Sequence, residues 1–380
     1  MKICVVTPRF AISGVPLAQL RFAQALANNG HEVDLLIGIV NPGFVVPEIA
    51  NVNVVIMNCQ NVRRMLYPMW KYFRTHSLDV IFSAEDHLNA FVLLALLLSG
   101  SRGKFSGSSR VTPFDTYSNK PFTKRWLLKI LVRSVMWRAD ALTCVSEDMV
   151  EQYRKVFRNP PHACAYNIVD NPQSRQRMQE PVDMDWFAQK DTPLIVAAGQ
   201  LEPWKGFVDL VHAMKEVAGK TTARLVVFGE GSLRAELERL IAELGLSDRI
   251  SLPGNVPNPL KYFACADVFV LSSLVEGMPN VLVEAMMCGC TPVATNCPTG
   301  PRELLKDGKY GYLVAVGNPA AIAIGIEKAL DRPIAKDLLA EAILPFEECA
   351  VISRHFELLG LPGLSGGSAA DECVVVAKAG

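Results

Sequence analysis

No stretch of this sequence is long and apolar enough to span a bilayer: its longest uninterrupted apolar run, residues 90–98, has nine members, about half a spanning helix. Net charge is also lacking, with 38 Lys and Arg against 38 Asp and Glu. There is no overall basic excess and no recognisable recognition module, so nucleic acid is not an expected partner. Ten cysteines are present, yet none stands at CxxC spacing. Cys288 and Cys290 around Gly289 are too close for a zinc knuckle, and all ten read as free thiols of a reducing compartment. Walker spacing is absent, as is a strand-linked GxGxxG, which disfavours an ATPase or a dinucleotide-dependent dehydrogenase. The six histidines are scattered. Asp183 and Asp185 resemble a metal-binding pair only superficially, in a polar stretch where solvation accounts for them, so no metal site is expected. Residues 3–7 read as a strand instead of a cationic leader, and a cytoplasmic location is expected.

What remains is ordinary globular composition on a long chain. Half of the 380 residues are hydrophobic and 20% are charged, which predicts two domains. Charge is unevenly divided: residues 1–170 hold 19 Lys and Arg against 12 Asp and Glu, and the remainder carries the opposite imbalance. A basic half suits an anionic lipid or a phosphorylated acceptor, though scattered solubilising charge has the same signature. A βα rhythm runs through both halves. Strands are predicted at 3–7, 32–37, 54–58, 80–83 and 141–145, with helices at 17–28 and 88–98 and Ser146 as a cap. After a polar, proline-bearing stretch at 171–191, read as a linker, strands at 193–198, 223–228, 250–252, 268–271 and 291–294 alternate with helices. Such repeats give mostly parallel sheets, which bind ligands beyond the carboxyl ends of their strands. The domains are then 1–170 and 192–344. A last helix is expected at 345–360, and a Gly/Ser/Ala-rich tail, 361–380, is expected to be flexible.

Residues 120–138 stand apart. Lys120, Lys124, Arg125, Lys129, Arg133 and Arg138 have no acidic residue among them, and Trp126, Leu127, Ile130, Leu131, Val135 and Trp137 lie between. The pattern fits a cationic helix on an anionic membrane. It fits equally a helix using its apolar positions to pack on the first sheet, which is the more economical reading.

Three strand-to-helix loops of the second half could carry chemistry. In the first, Gln200 and Lys205 lie between Gly199 and Gly206, with Lys205 able to reach a phosphate. In the second, Gly229 and Gly231 flank Glu230, a weak signal because any tight turn uses glycine. The third runs through Glu276, Gly277, Met278, Pro279, Asn280 and Val281 into a helix that bears Glu284. There the N–H groups of Asn280 and Val281 are expected to be open to a phosphate or a sugar hydroxyl, although capping and a solvated turn explain the same spacing. In the first half, His87 ends a strand, where functional groups collect.

Taken in order, these residues resemble a known family. Gly254, Asn258-Pro259, Tyr262, the run 266–273, Glu276 through Val281, Glu284-Ala285-Met286, Gly289, Pro292-Val293-Ala294, Gly300-Pro301-Arg302-Glu303 and Gly308 through Gly311 are similar to the donor domain of retaining glycosyltransferase family four. The wording around Asn280 and Pro298 resembles bacterial members that build lipid-linked or surface-polysaccharide glycans. The resemblance implies a GT-B fold: two facing Rossmann-like α/β domains with mostly parallel sheets, the last helix packing back on the first domain, and a cleft that closes on the donor. It implies transfer, with retention, of a hexose or N-acetylhexosamine from a nucleotide-diphosphate sugar, UDP-sugar foremost, to a polyprenyl-diphosphate-linked or polysaccharide acceptor. A nucleotide sugar as co-substrate, no tightly bound cofactor and no essential metal are implied with it. Glu284 would hold the ribose, Glu276 and residues 277–281 the donor sugar and diphosphate, and Lys205 the diphosphate. Gly14, Gln200, Gly229 and Gly231 complete the donor set, and His87 lies on the acceptor side. The family's usual arginine is Gln200 here, the paired glycines after the first strand are reduced to Gly14, and the expected first-domain histidine is replaced by the stretch 112–115. A catalytically lapsed sugar-nucleotide-binding or scaffolding subunit therefore stays as the alternative. An epimerase or phosphorylase is disfavoured by absent acid/base residues and an absent cofactor lysine motif.

Overall fold

A computed structural model describes residues 1–10, 14–157, 161–188 and 192–363. These form two compact units, one from Met1–Ile168 with the helix Glu348–Leu358, the other from Val169–Glu347.

The first unit is built on seven parallel strands: β1 (Lys2–Phe10), β2 (Glu32–Val40), β3 (Val52–Ile56), β4 (Val80–Ala84), β5 (Lys104–Ser109), β6 (Ala141–Cys144) and β7 (His162–Cys164), in the order β3-β2-β1-β4-β5-β6-β7. Ile3, Val5, Leu35, Ile37 and Phe82 of this sheet are buried under Phe22 and Leu26 of the helix Gly14–Asn28. The last helix joins the same layer through Val351, Ile352 and Phe356. Helix starts follow capping chemistry: Ser146 Oγ accepts from Met149 N–H at 3.2 Å, and Asn61 and Thr123 cap the helices Val62–Thr75 and Lys124–Val135.

The second unit carries six parallel strands, β8 (Leu194–Ala198), β9 (Arg224–Phe228), β10 (Ile250–Gly254), β11 (Val268–Leu271), β12 (Thr291–Thr295) and β13 (Tyr312–Val314), in the order β10-β9-β8-β11-β12-β13. β8 and β11 are short and almost wholly apolar because helices cover both faces. Strand order reverses between β1 and β4 in one sheet and between β8 and β11 in the other. The carboxyl ends at such reversals are where open α/β sheets bind ligands.

One expectation needs correction. The stretch taken as a linker is folded part of the second unit as far as it is described. Asn171 caps the helix Pro172–Met178, accepting from Ser174 N–H at 2.8 Å, with Pro172 at its first position. Beyond it Asn258 Nδ2 donates to Arg177 O and Glu180 Oε2, both at 2.8 Å, and Phe187 is buried against Tyr262 at 5.0 Å. The boundary accordingly falls at Val169 instead of after residue 191. The helix Lys124–Val135, for which two readings stood open, presents two apolar faces. Val132 and Val135 are buried inward, while Leu127 and Ile130, with Phe122 before the helix and Trp137 after it, stand exposed at 54%, 44%, 88% and 71%. Packing and an outward apolar stripe are both present. Of the predicted tail, residues 364–380 lie outside the described residues. Among the described residues no helix is long and apolar enough to cross a membrane.

Candidate functional site

The loop after β8 and the loop after β11 leave adjacent strands at the reversal point of the second sheet, and they lock together. Gly206, in the left-handed conformation at φ 64°, lies so close to Ser272 that a Cβ there would sit 2.1 Å from the Ser272 carbonyl oxygen. Ser272 Oγ donates to Lys205 O at 2.8 Å, and Leu274 N–H donates to Trp204 O at 2.8 Å. Lys205, ending the short turn Pro203–Lys205, is thereby aimed at Glu276: its Nζ donates to Glu276 Oε1 at 2.6 Å, and Ser273 Oγ donates to the same oxygen at 2.6 Å. Both charges are largely withdrawn from water, with side-chain exposures of 19% and 10%. The carbonyl oxygens of Ser273 and Glu276 accept from Thr295 Oγ1 and Thr299 Oγ1, so hydroxyls from the end of β12 and the loop after it fix the second loop. Gly300, at φ 90°, backs the same turn: a Cβ there would meet Pro279 Cδ at 2.7 Å.

Glu276 leads through Gly277, Met278 and Pro279 into the helix Asn280–Met287, which carries Val281 in its first turn and Glu284 further along. The expectation that the Asn280 amide stands open is corrected, since it donates to Met278 O at 3.0 Å and closes the turn. Gly229 and Gly231 follow β9, the other neighbour of β8. A Cβ on Gly229 would lie 1.9 Å from Gly199 O, and one on Gly231 would lie 2.5 Å from Leu201 O. Their evident task is to let two backbone loops touch, and the bonds Gly199 N–H to Phe228 O (3.0 Å) and Leu201 N–H to Glu230 O (2.9 Å) tie that approach. Gln200 is exposed, and its side chain forms no hydrogen bond among the described residues. Cys297 is buried nearby, its thiol pushed up to about 11 first by burial and then by the Glu276 charge. It stays protonated at neutral pH and packs without acting as a nucleophile.

In the first unit, Gly14 opens the helix after β1 and His87 lies in the first turn of the helix Asp86–Ser99 after β4. His87 Nε2 stands 3.1 Å from Glu85 Oε2. Glu85 occupies φ 81°, a strained conformation for a side-chain-bearing residue, and is held there by its N–H bond to Ser108 O at 2.9 Å. Asp86 points inward to Ser109 Oγ (2.5 Å) and the Tyr153 hydroxyl; burial raises its pKa, and those hydrogen bonds oppose the rise. Arg110, directly beyond β5 at the same sheet edge, escaped the sequence reading. Its signal was the alternation Ser106, Ser108, Arg110, unusually polar for a buried strand. Among the described residues no three His, Cys, Asp or Glu side chains gather as metal ligands do.

Two Rossmann-like units of parallel strands, each with helices, make this a GT-B glycosyltransferase fold. Over 95% of this chain and 99% of theirs, the structure superimposes with a TM-score of 0.72 on the Anabaena protein HepE solved with UDP and glucose (19% identical) and on the lipopolysaccharide outer core galactosyltransferase WaaB in its apo form (16%). Residues 12–171 match the family model described as Glycosyltransferase Family 4, and residues 179–343 match the one described as Glycosyl transferases group 1. A Campylobacter jejuni protein, N-acetylgalactosamine-N,N'-diacetylbacillosaminyl-diphospho-undecaprenol 4-alpha-N-acetylgalactosaminyltransferase, is 31% identical over 263 residues, 69% of each chain. A lipopolysaccharide core biosynthesis glycosyltransferase of Rhizobium meliloti is 32% identical over 174 residues, 44% of this chain and 50% of its own. The chain belongs to glycosyltransferase family 4.

Proposed function

We propose that this transferase moves a hexose or N-acetylhexosamine, with retention, from a UDP-sugar to a hydroxyl of a lipid-linked or surface-polysaccharide acceptor. The observation that carries the donor half is the Lys205–Glu276 pair at the reversal point of the second sheet. A buried cation beside a pre-set turn is suited to a diphosphate, whose charge grows as the glycosidic bond breaks. In this reading the acceptor hydroxyl attacks the anomeric carbon on the face the diphosphate leaves. The new C–O bond forms as the old one breaks, and the hydroxyl proton passes to the departing phosphate oxygen. Lys205 stabilises that oxygen, Glu276 and residues 277–281 hold the sugar, and Glu284 takes the ribose. Gly14 belongs to the donor set, and His87 with Glu85 serves the acceptor side in the first unit. The acceptor class is supported by the Campylobacter relative, whose name specifies a diphospho-undecaprenol substrate. Incubation of the protein with UDP-hexoses and a polyprenyl-diphosphate sugar, without added metal, tests the reading; transfer with the anomer retained is expected. Gln200 favours the alternative of a lapsed subunit, but a purely scaffolding role gives no reason to keep Lys205 and Glu276 desolvated.

The outward stripe of Phe122, Leu127, Ile130 and Trp137, flanked by exposed Lys120, Lys124, Arg125 and Arg133, supports a peripheral seat on an anionic cytoplasmic leaflet. Each basic residue near such a surface contributes about 1 kcal/mol. Sedimentation with phosphatidylglycerol-containing vesicles is expected to carry the protein down at low salt. Replacing Phe122, Leu127 and Trp137 together by serine should weaken this about tenfold or more. Equal sedimentation of parent and variant would contradict the assignment.

A further inference from the structure

The reaction proposed above leaves unused a small polar chamber inside the first unit. Strand alternation turns Ser106, Ser108 and Arg110 to one face of the sheet, the face where Phe82 packs against Phe22 (4.9 Å) and His355 (5.6 Å). Gln19 and His355 reach the same chamber from the helices that cover that face. Such a layer is normally apolar, because a buried polar group without a partner is costly. Here the unpartnered buried atoms include Gln19 Oε1, Ser106 Oγ, Ser108 Oγ, His355 Nδ1, and both Nε and Nη1 of Arg110.

Arg110 matters most. Its guanidinium offers five donors, yet it makes no hydrogen bond and no ion pair among the described residues. Glu85 contributes a favourable field, but its carboxylate contacts His87 and not the guanidinium. Burial lowers the guanidinium to about 10, so it is still charged at neutral pH. His355 is pushed down to about 3, first by burial and then by Arg110 and Arg354, and is a neutral ring beside the cation. The chamber is small, with room for about one oxygen-sized body. Water there would satisfy hydroxyls but would give the guanidinium no anion in contact.

We infer that this chamber is an oxyanion site in which Arg110 binds one phosphoryl oxygen, with the hydroxyls of Ser106 and Ser108 lining its seat. The phosphoryl group belongs either to inorganic phosphate or to a phosphorylated acceptor, and the second source rests on the transferase reading. Thermal unfolding of the full chain in increasing inorganic phosphate, at constant ionic strength, separates the cases. It is run in a Lys205→Met background so that the cation of the second unit does not contribute. With Arg110 present, the midpoint should rise and saturate. Arg110→Gln should remove the rise, yet melt no lower than its parent in phosphate-free buffer, because it deletes a buried charge that no anion contacts. Arg110→Lys, which keeps a charge but loses the planar fork, should bind phosphate about tenfold more weakly. A flat response with Arg110 present, or a rise that survives in Arg110→Gln, overturns the site. On the Lys205 protein, a KM for a polyprenyl-diphosphate acceptor raised about tenfold by Arg110→Gln, with the KM for UDP-sugar unchanged, assigns the oxygen to the acceptor. An unchanged acceptor KM beside an intact phosphate response assigns it to free phosphate. If the parent transfers no sugar, the transferase reading fails, and the phosphate titration still decides the site.

Discussion

Lys205→Met is expected to lower kcat/KM for sugar transfer by about 10²–10³, the range measured when one pre-set charge partner of a transition state is removed. Methionine keeps the length of the side chain and removes the charge that Glu276 and, in the proposed reaction, the departing diphosphate both engage. The partner variant Glu276→Ala should act mainly on kcat, since its contact is proposed to be with the sugar. Because the two side chains share one hydrogen bond of 2.6 Å, their effects should not add: the double variant should be only slightly worse than Lys205→Met alone. Steady-state kinetics on the three proteins, with thermal midpoints to exclude unfolding, checks this. Additive losses would mean that the pair does not work as a unit.

Gly229→Ala is expected to be the most damaging small substitution in the second unit. The glycine sits at φ 145°, and a Cβ would stand 1.9 Å from Gly199 O, a backbone atom that cannot swing away. The two loops would have to separate, breaking the bonds that hold Gly199 and Leu201 to β9 and its turn. Strained backbone and a lost loop contact together cost about 3 kcal/mol or more, or a fall of roughly 10 °C in midpoint for a domain of this size. Gly206→Ala meets Ser272 O at 2.1 Å and should behave alike, with weakened nucleotide binding because Lys205 is its neighbour. Gly245→Ala, which has φ 66° but open space around the new carbon, is the control for backbone strain alone and should cost about 1–2 kcal/mol. Equal losses at Gly229 and Gly245 would remove the close approach as the cause.

Much of this architecture could be read from residue order because its strands are short apolar runs closed by glycine or serine: β8 and β9 run straight into Gly199 and Gly229, and β11 into Ser272-Ser273. The readings that failed did so for physical reasons. Asn171-Pro172 looked like a loop because both residues break helices internally, yet an asparagine cap followed by proline is also how a helix begins. β5, Lys104–Ser109, went unseen because its sequence, KFSGSS, is polar. Its serines face a chamber and a hydrogen-bonded network instead of hydrocarbon, and the same polarity concealed Arg110. The stretch 120–138 was ambiguous for a different reason. Two apolar faces at helical spacing overlap in sequence, and only the fold separates Val132 and Val135 from Leu127 and Ile130. Gly229 and Gly231 were legible as a turn. That they serve contact between two loops is a tertiary fact no local pattern carries.

The account depends above all on the second unit binding a nucleotide at the loops after β8 and β11. Isothermal titration of UDP into the full chain and into Glu284→Ala, without added metal, tests this most directly. The predicted result is a Kd on the order of micromolar, near −8 kcal/mol, weakened about tenfold or more in Glu284→Ala, with the variant's thermal midpoint unchanged. No heat with UDP or GDP, or the same affinity in both proteins, would contradict it.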